Sequence, residues 1–186
     1  MKFLLLAVLP LVGCAPSLVD EDPGTDTEAA TEEPAEPVDI VTETLEDGSW
    51  MLLVDSTSEN VPVKIDLDTR FTTLDDDWEF SLVRYTPLVN DGIGVIALDG
   101  VGFDEVVEYD ESAFVTGDDA SILMGGWWDY NLDSHEVSPA DTTFLIETDM
   151  GEVFKVRFVD YYADAGTPAT VSLHVDYVVK TDEVAE

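Results

Sequence analysis

Apolar and polar positions divide the chain into three regimes. Met1 and Lys2 precede an apolar stretch from Phe3 to Val12, which closes on Leu11-Val12-Gly13-Cys14. Residues 15 to about 40 carry no apolar period and are rich in Asp, Glu, Thr, Pro and Ala, as in Thr31-Glu32-Glu33-Pro34-Ala35-Glu36-Pro37. Such a segment cannot bury enough surface to order itself, and its charges and prolines favour an extended chain. From about residue 41, short apolar runs alternate with Gly, Asn and Asp clusters. Trp50 to Val54 reads as a strand, and Val61, Val63, Ile65 and Leu67 share one face of another. Trp78, Phe80 and Leu82 alternate against Glu79, Ser81 and Val83, while Gly94 to Leu98 is a short buried strand. Trp127 to Leu132 is aromatic. Thr143 to Thr148 and Glu152 to Tyr162 flank Asp149-Met150-Gly151 as a hairpin, and Val171, Leu173, Val175 and Tyr177 line a last strand. No window predicts a long amphipathic helix, and residues 102–116 read as a loop or a single helical turn.

About nine short strands at this spacing predict one all-β, antiparallel domain, a sandwich or a partly open barrel. The expected layout is a signal segment over 1–13, a lipidated cysteine and acidic linker over 14–40, the β domain over 41–180 and an acidic tail over 181–186.

The first regime has the make-up of a bacterial secretion signal: a positive charge, a short apolar core and small residues at the cut. It is too short for a permanent membrane span. Its Leu-x-Gly-Cys ending resembles a lipobox, so Cys14, the only cysteine, is expected to become the lipidated first residue and the membrane anchor. Ala15 follows it in place of an inner-membrane retention Asp, which favours the outer membrane in a Gram-negative cell. With Cys14 lipidated no disulfide is available, and packing alone must hold the domain.

Charge narrows the partners. The 42 acidic residues against 7 basic ones give a net charge of −35. Such a chain is repelled by nucleic acid and by anionic headgroups, and its evenly spread acids suit solvation in a salty exterior. The chain has no mature thiol, no Gly-x-Ser-x-Gly elbow and no closely spaced histidine pair, its two histidines standing 39 residues apart. An enzyme is not expected. Asp75-Asp76-Asp77 and Asp118-Asp119 offer oxygen atoms to calcium, but neither follows an EF-hand loop.

The order of segments resembles the HmuY family of bacterial surface lipoproteins. The resemblance runs through the strand pair of Trp50 to Arg70, the tryptophan-led strand Asp77 to Arg84 with Asn90-Asp91-Gly92 after it, and Ala97 to Asp104. It continues through Trp127-Trp128-Asp129-Tyr130, Val137-Ser138-Pro139, and the hairpin from Phe144 to Tyr161-Tyr162, so it spans roughly residues 48–178. It implies an all-β fold and non-catalytic capture of haem for an outer-membrane receptor.

Haem iron takes His or Met as axial ligands. The candidates are His135 in the Asp133-Ser134-His135-Glu136 turn, Met150 at a hairpin tip, Met124 before Gly125-Gly126, and His174 on the face of its strand opposite Val171, Leu173 and Val175. Met51 is expected to pack within its strand. Two alternatives stand beside haem capture. One is a structural or protein-interaction lipoprotein on the same scaffold, and the other is a carbohydrate-binding module using the Trp127 region, where one tryptophan of the pair 127–128 is expected in the core.

Overall fold

The computed structural model describes residues 41–73, 75–163 and 166–178. Cys14, the segments 1–13 and 14–40 and the tail 181–186 lie outside the described residues.

Among the described residues, twelve strands make three antiparallel sheets. The largest contains β1 (Val41–Thr44), β2 (Trp50–Asp55), β7 (Gly94–Asp99), β10 (Thr142–Glu147), β11 (Val153–Tyr162) and β12 (Pro168–Tyr177), in the order β1-β2-β12-β11-β10-β7. The second orders β4 (Phe71–Thr72), β3 (Val63–Asp66), β5 (Phe80–Val83) and β6 (Thr86–Val89) as β4-β3-β5-β6. A two-stranded ribbon joins β8 (Trp128–Asn131) to β9 (Glu136–Pro139). None of the sheets closes on itself, so the all-β expectation resolves to an open, layered arrangement.

Period-two alternation explains the layering. Leu52 and Val54 of β2, Val171, Leu173 and Val175 of β12, and Phe154, Val156 and Phe158 of β11 point to one side of the large sheet. There they meet Val63 and Ile65 of β3 and Phe80 and Leu82 of β5 in one core. The opposite face is covered as well. Ile96, Leu145 and Val153 form a second cluster with Val106 from the segment after β7, and Val101, Tyr109 and Phe114 pack against it. Burial on both faces is why β10 departs from alternation and reads as a continuous apolar run.

One α-helix is present among the described residues, α1 (Gly117–Met124). It packs on β6 and β7, buries Ala120 and Met124, and its Ser121 hydroxyl accepts the Val89 N–H at 3.0 Å. Eight residues are too few for a convincing period, which is why the sequence does not predict it. Asp118 and Asp119 occupy its exposed first turn, where they complement the helix dipole. Residues 102–116 hold two single-turn 3₁₀ helices, Phe103–Glu105 and Glu111–Ala113.

Candidate functional site

The β8–β9 ribbon is tied to the body of the domain at its base. Trp127 ends a 3₁₀ turn one residue before β8, is fully buried and stacks on Phe158 with ring centroids 4.3 Å apart. Its indole N–H donates to the Tyr85 carbonyl at 2.9 Å, and its own carbonyl accepts the Ala140 N–H at 2.7 Å. Trp128, the first strand residue, is half-buried, and Tyr85 lies against it at 4.9 Å. On β9, the Val137 N–H donates to the Tyr162 hydroxyl at 3.0 Å, fixing the ribbon to the end of β11. Cross-strand register puts Trp128 opposite Pro139 and Tyr130 opposite Val137, so these four side chains share one face. Beneath it Tyr161 is buried in the main core, 6.4 Å from Tyr85, with the Arg84 guanidinium beside its hydroxyl and 3.5 Å from Glu59.

His135 stands at the exposed tip of this ribbon. Asn131 organises the turn: its side-chain oxygen accepts the N–H groups of Asp133 and Ser134 at 2.9 and 3.1 Å, and its carbonyl accepts the His135 N–H at 2.8 Å. His135 takes φ 59°, a left-handed conformation that few side chains adopt readily. Its Nδ1 lies 2.9 Å from the Tyr130 hydroxyl. In the Nδ1–H tautomer the ring donates to the phenol oxygen, which leaves the Nε2 lone pair as the free ligand atom. Metal-binding imidazoles use this arrangement, with the second nitrogen held by a hydrogen-bond partner.

The other candidates lie elsewhere. Met150 is 75 % exposed at the β10–β11 turn. That turn is at the start of the ten-residue β11, whereas the His135 ribbon is bonded to its end at Tyr162. A strand of this length puts roughly 30 Å between Met150 and the point where the ribbon is attached, against the ~4 Å between ligand atoms on opposite sides of one iron. Met124 is in the core, not in a loop, and has no exposed surface. His174 does face away from the main core, but it is capped and not solvated. Phe103 stacks on it at 3.7 Å and 19°, and its Nε2 lies 2.8 Å from the Ser49 hydroxyl. Burial lowers its pKa from the ordinary imidazole value. Met51 is its cross-strand neighbour on the same face. His135, Met150, Met124 and His174 thus stand on different elements, the one neighbouring His/Met pair being His174 with Met51 under the Phe103 cover, and His135 is the candidate whose second ring nitrogen lies at an aromatic surface. Trp127 offers no platform to a sugar, because it is buried.

Pattern reading missed one cluster. Asp66, Asp68 and Glu79 place one carboxylate oxygen each within 4.8 Å of one another. Glu79 Oε2 accepts the Leu67 N–H at 2.6 Å, and Asp66 Oδ1 accepts the Thr69 N–H at 2.9 Å. Burial pushes Glu79 up to about 7 and, with a contact to Glu152, Asp68 up to about 6. Glu79 stands in the sequence opposite the Trp78, Phe80 and Leu82 set, yet it is buried just before β5, as Ser81 is within it. The acid runs singled out as calcium candidates do not gather: Asp76 pairs with Lys64 at 3.5 Å, and Asp118 and Asp119 stay on α1.

No protein-family model matches the chain, and no curated protein matches it. Solved structures do. A protein from Bacteroides vulgatus assigned as a HmuY-like haem-binding protein superposes with a TM-score of 0.62 at 14 % identity, over 77 % of this chain and 99 % of that one. The fold is HmuY-like. A protein assigned as a lipoprotein from Bacteroides fragilis shares it with a TM-score of 0.61 at 15 % identity, over 76 % and 97 % of the two chains. The apo HmuY analogue of Tannerella forsythia does so at 0.59 and 12 %, over 78 % and 100 %. In this HmuY-like fold the order of segments survives at an identity too low to carry individual site residues. The role of His135 therefore rests on the ribbon's own geometry.

Proposed function

We propose that this protein is a lipid-anchored, non-catalytic binding protein that captures haem or a related porphyrin on the aromatic face of the β8–β9 ribbon. The observation that carries the reading is the Tyr130–His135 pair, 2.9 Å apart at the exposed end of the Tyr85–Trp128 surface. The HmuY-like haem-binding protein and the HmuY analogue among the matching structures support it. The residues fit the group in kind: aromatic rings for the porphyrin face and one imidazole for the iron, with Arg84, paired with Glu59 at 3.5 Å, as the neighbouring cation a propionate would have to draw away. Bound haem would supply an iron that accepts an axial nitrogen. The chain's own part is to hold the His135 tautomer through Tyr130 and to keep the ribbon in place through Trp127 and Tyr162.

Titrating haem into the purified full-length chain is the test. A saturable Soret shift is expected, lost in His135→Ala, weakened in Tyr130→Phe and unchanged in Met150→Ala. A flat titration at micromolar haem would overturn the proposal in favour of an interaction lipoprotein, for which exposed Tyr130 and Leu132 on the ribbon are the available surface.

The anchor is a second part of the proposal. Lipid on Cys14 would hold the domain at the cell envelope, with an outer-membrane receptor as the natural recipient of haem. Metabolic labelling with a radioactive fatty acid should mark the wild-type chain and leave Cys14→Ser unlabelled; equal labelling of both would reject the assignment.

A further inference from the structure

The two main sheets meet at one end through acids. Asp66 closes β3, Asp68 lies in the turn that follows, and Glu79 immediately precedes β5. One carboxylate oxygen of each lies within 4.8 Å of the others. The β10–β11 turn of the six-stranded sheet faces them, and its Glu152 carboxyl contacts that of Asp68. The charges that weigh most on Asp68 and Glu79 are all acids: Glu152, Asp66 and Asp149 on the first, Asp68 and Asp66 on the second. The bases next to the cluster in sequence are engaged elsewhere. Arg70 lies over the Trp50 ring at 3.7 Å, and Lys64 donates to the Asp75 carbonyl at 2.9 Å and pairs with Asp76 at 3.5 Å.

Two buried oxygen atoms at this end lack partners. Asp68 Oδ1 is shielded from solvent and accepts no hydrogen bond. Thr148 is 3 % exposed, and its hydroxyl neither donates nor accepts one. An unpaired buried hydroxyl is costly and rare in a native protein. Alternation sets its direction. Thr148 continues the face of β10 that carries Phe144 and Ile146, the face packed on β3 and β5. Its N–H donates to the Glu152 carbonyl at 2.8 Å, so the two residues stand opposite each other at the neck of the turn, and Glu152 is the one that reaches Asp68. The hydroxyl is aimed into the gap between the sheets where the carboxylates gather.

The gathered donors are oxygen alone, with excess negative charge, a set that hard divalent cations take. Two oxygens on one calcium ion lie at most about 5 Å apart, since each bond is about 2.3–2.6 Å, which matches the width of the cluster. Calcium accepts an irregular oxygen shell, whereas magnesium demands an octahedron. The main-chain bonds do not use up the acids: Glu79 accepts from Leu67 and Asp66 from Thr69, and each carboxylate keeps lone pairs for an ion.

We propose that Asp66, Asp68 and Glu79, with the Thr148 hydroxyl, form a calcium site that ties the end of the β3–β5 sheet to the β10–β11 turn. The site is independent of haem, since the ribbon is bonded to the opposite end of β11. Without the ion, the protons retained by Glu79 and Asp68 relieve the crowding, and they govern stability only while calcium is absent.

Thermal unfolding of the full-length chain, stripped with chelator and titrated with calcium chloride at pH 8, tests this. Salt at about 0.15 M screens the surface acids. At about 10 mM calcium, tenfold or more above the affinity range of extracellular sites, the wild-type midpoint should rise by roughly 5 °C. Asp68→Asn should lose most of that rise, and Asp118→Asn with Asp119→Asn should keep it. Thr148→Val removes the orphan hydroxyl at nearly constant shape. It should melt higher than the wild type without calcium and gain less from the ion, a change of response that a merely structural threonine would not produce. No rise in the wild type, an equal rise with magnesium chloride, or an undiminished response in Asp68→Asn or Thr148→Val would overturn the proposal. Should Asp68→Asn not fold, Glu79→Gln supplies the second readout, because it keeps an acceptor for the Leu67 N–H; a calcium response equal to the wild type's would overturn it.

Discussion

Replacing Trp127 with alanine is expected to destabilise the domain by about 4–5 kcal/mol, a large share of the stability of an ordinary domain. Two costs add. The indole is fully buried against Phe158, Tyr161 and the rest of the main core, so its removal leaves a cavity that surrounding rings cannot fill. The Tyr85 carbonyl also loses its donor. Trp127→Phe keeps most of the volume and loses the hydrogen bond, which should cost about half as much. Trp128→Ala removes a half-buried ring and should cost about 1 kcal/mol. Urea unfolding of the three variants gives the order directly. If Trp128→Ala proved the most damaging, the buried and surface roles of the pair would have to be exchanged. Because Trp127 also anchors the ribbon that carries Tyr130 and His135, Trp127→Phe should weaken haem binding without touching the ligand.

That pair shows which parts of the molecule were legible in the chain. Local signals, alternation in some strands and short apolar runs bounded by turn residues in others, pick out β2, β3, β5, β7, β10, β11 and β12. Alternation also predicts that one tryptophan of 127–128 is core. The choice between them came from a 3₁₀ turn that starts the strand one residue late, a detail without a sequence period. Where a strand is sandwiched, alternation does not report exposure: Glu79 and Ser81 alternate with Trp78, Phe80 and Leu82, yet both are buried. Short elements failed for a related reason. β4 has two residues and α1 has eight, too few for any period to declare itself. The candidate ligands were chosen by residue type, and type says nothing about convergence. His135 and Met150 are equivalent as loop residues in the sequence, and β11 stands between their turns in the fold. His174 was rightly placed away from the core, but its cover is Phe103, some seventy positions earlier, which no local pattern could reveal.

The same blind spot hid the carboxylate cluster, and its consequence is a pH dependence opposite to that of a salt-bridged acid. Burial is the main force raising Glu79 from 4.5 to about 7; the Leu67 N–H opposes it, and Asp68 and Asp66 add repulsion. A carboxyl whose pKa is raised by folding binds its proton more tightly in the native state. Its stabilising contribution is complete below about pH 4.5 and is lost as the pH rises through about 7. Asp68, raised to about 6 mainly by burial and by Glu152, acts in the same direction. Glu79→Gln has no proton to lose and keeps an oxygen for the Leu67 N–H. At pH 8 this variant is expected to be more stable than the wild type by roughly 3 kcal/mol, and at pH 4.5 the two should converge. In melting temperature that is a rise of roughly 6–12 °C at pH 8. Unfolding curves for both proteins at the two pH values decide it. If Glu79→Gln were the weaker protein at pH 8, the native state would be using the ionised carboxylate, and the cluster would owe its stability to charge and not to a retained proton.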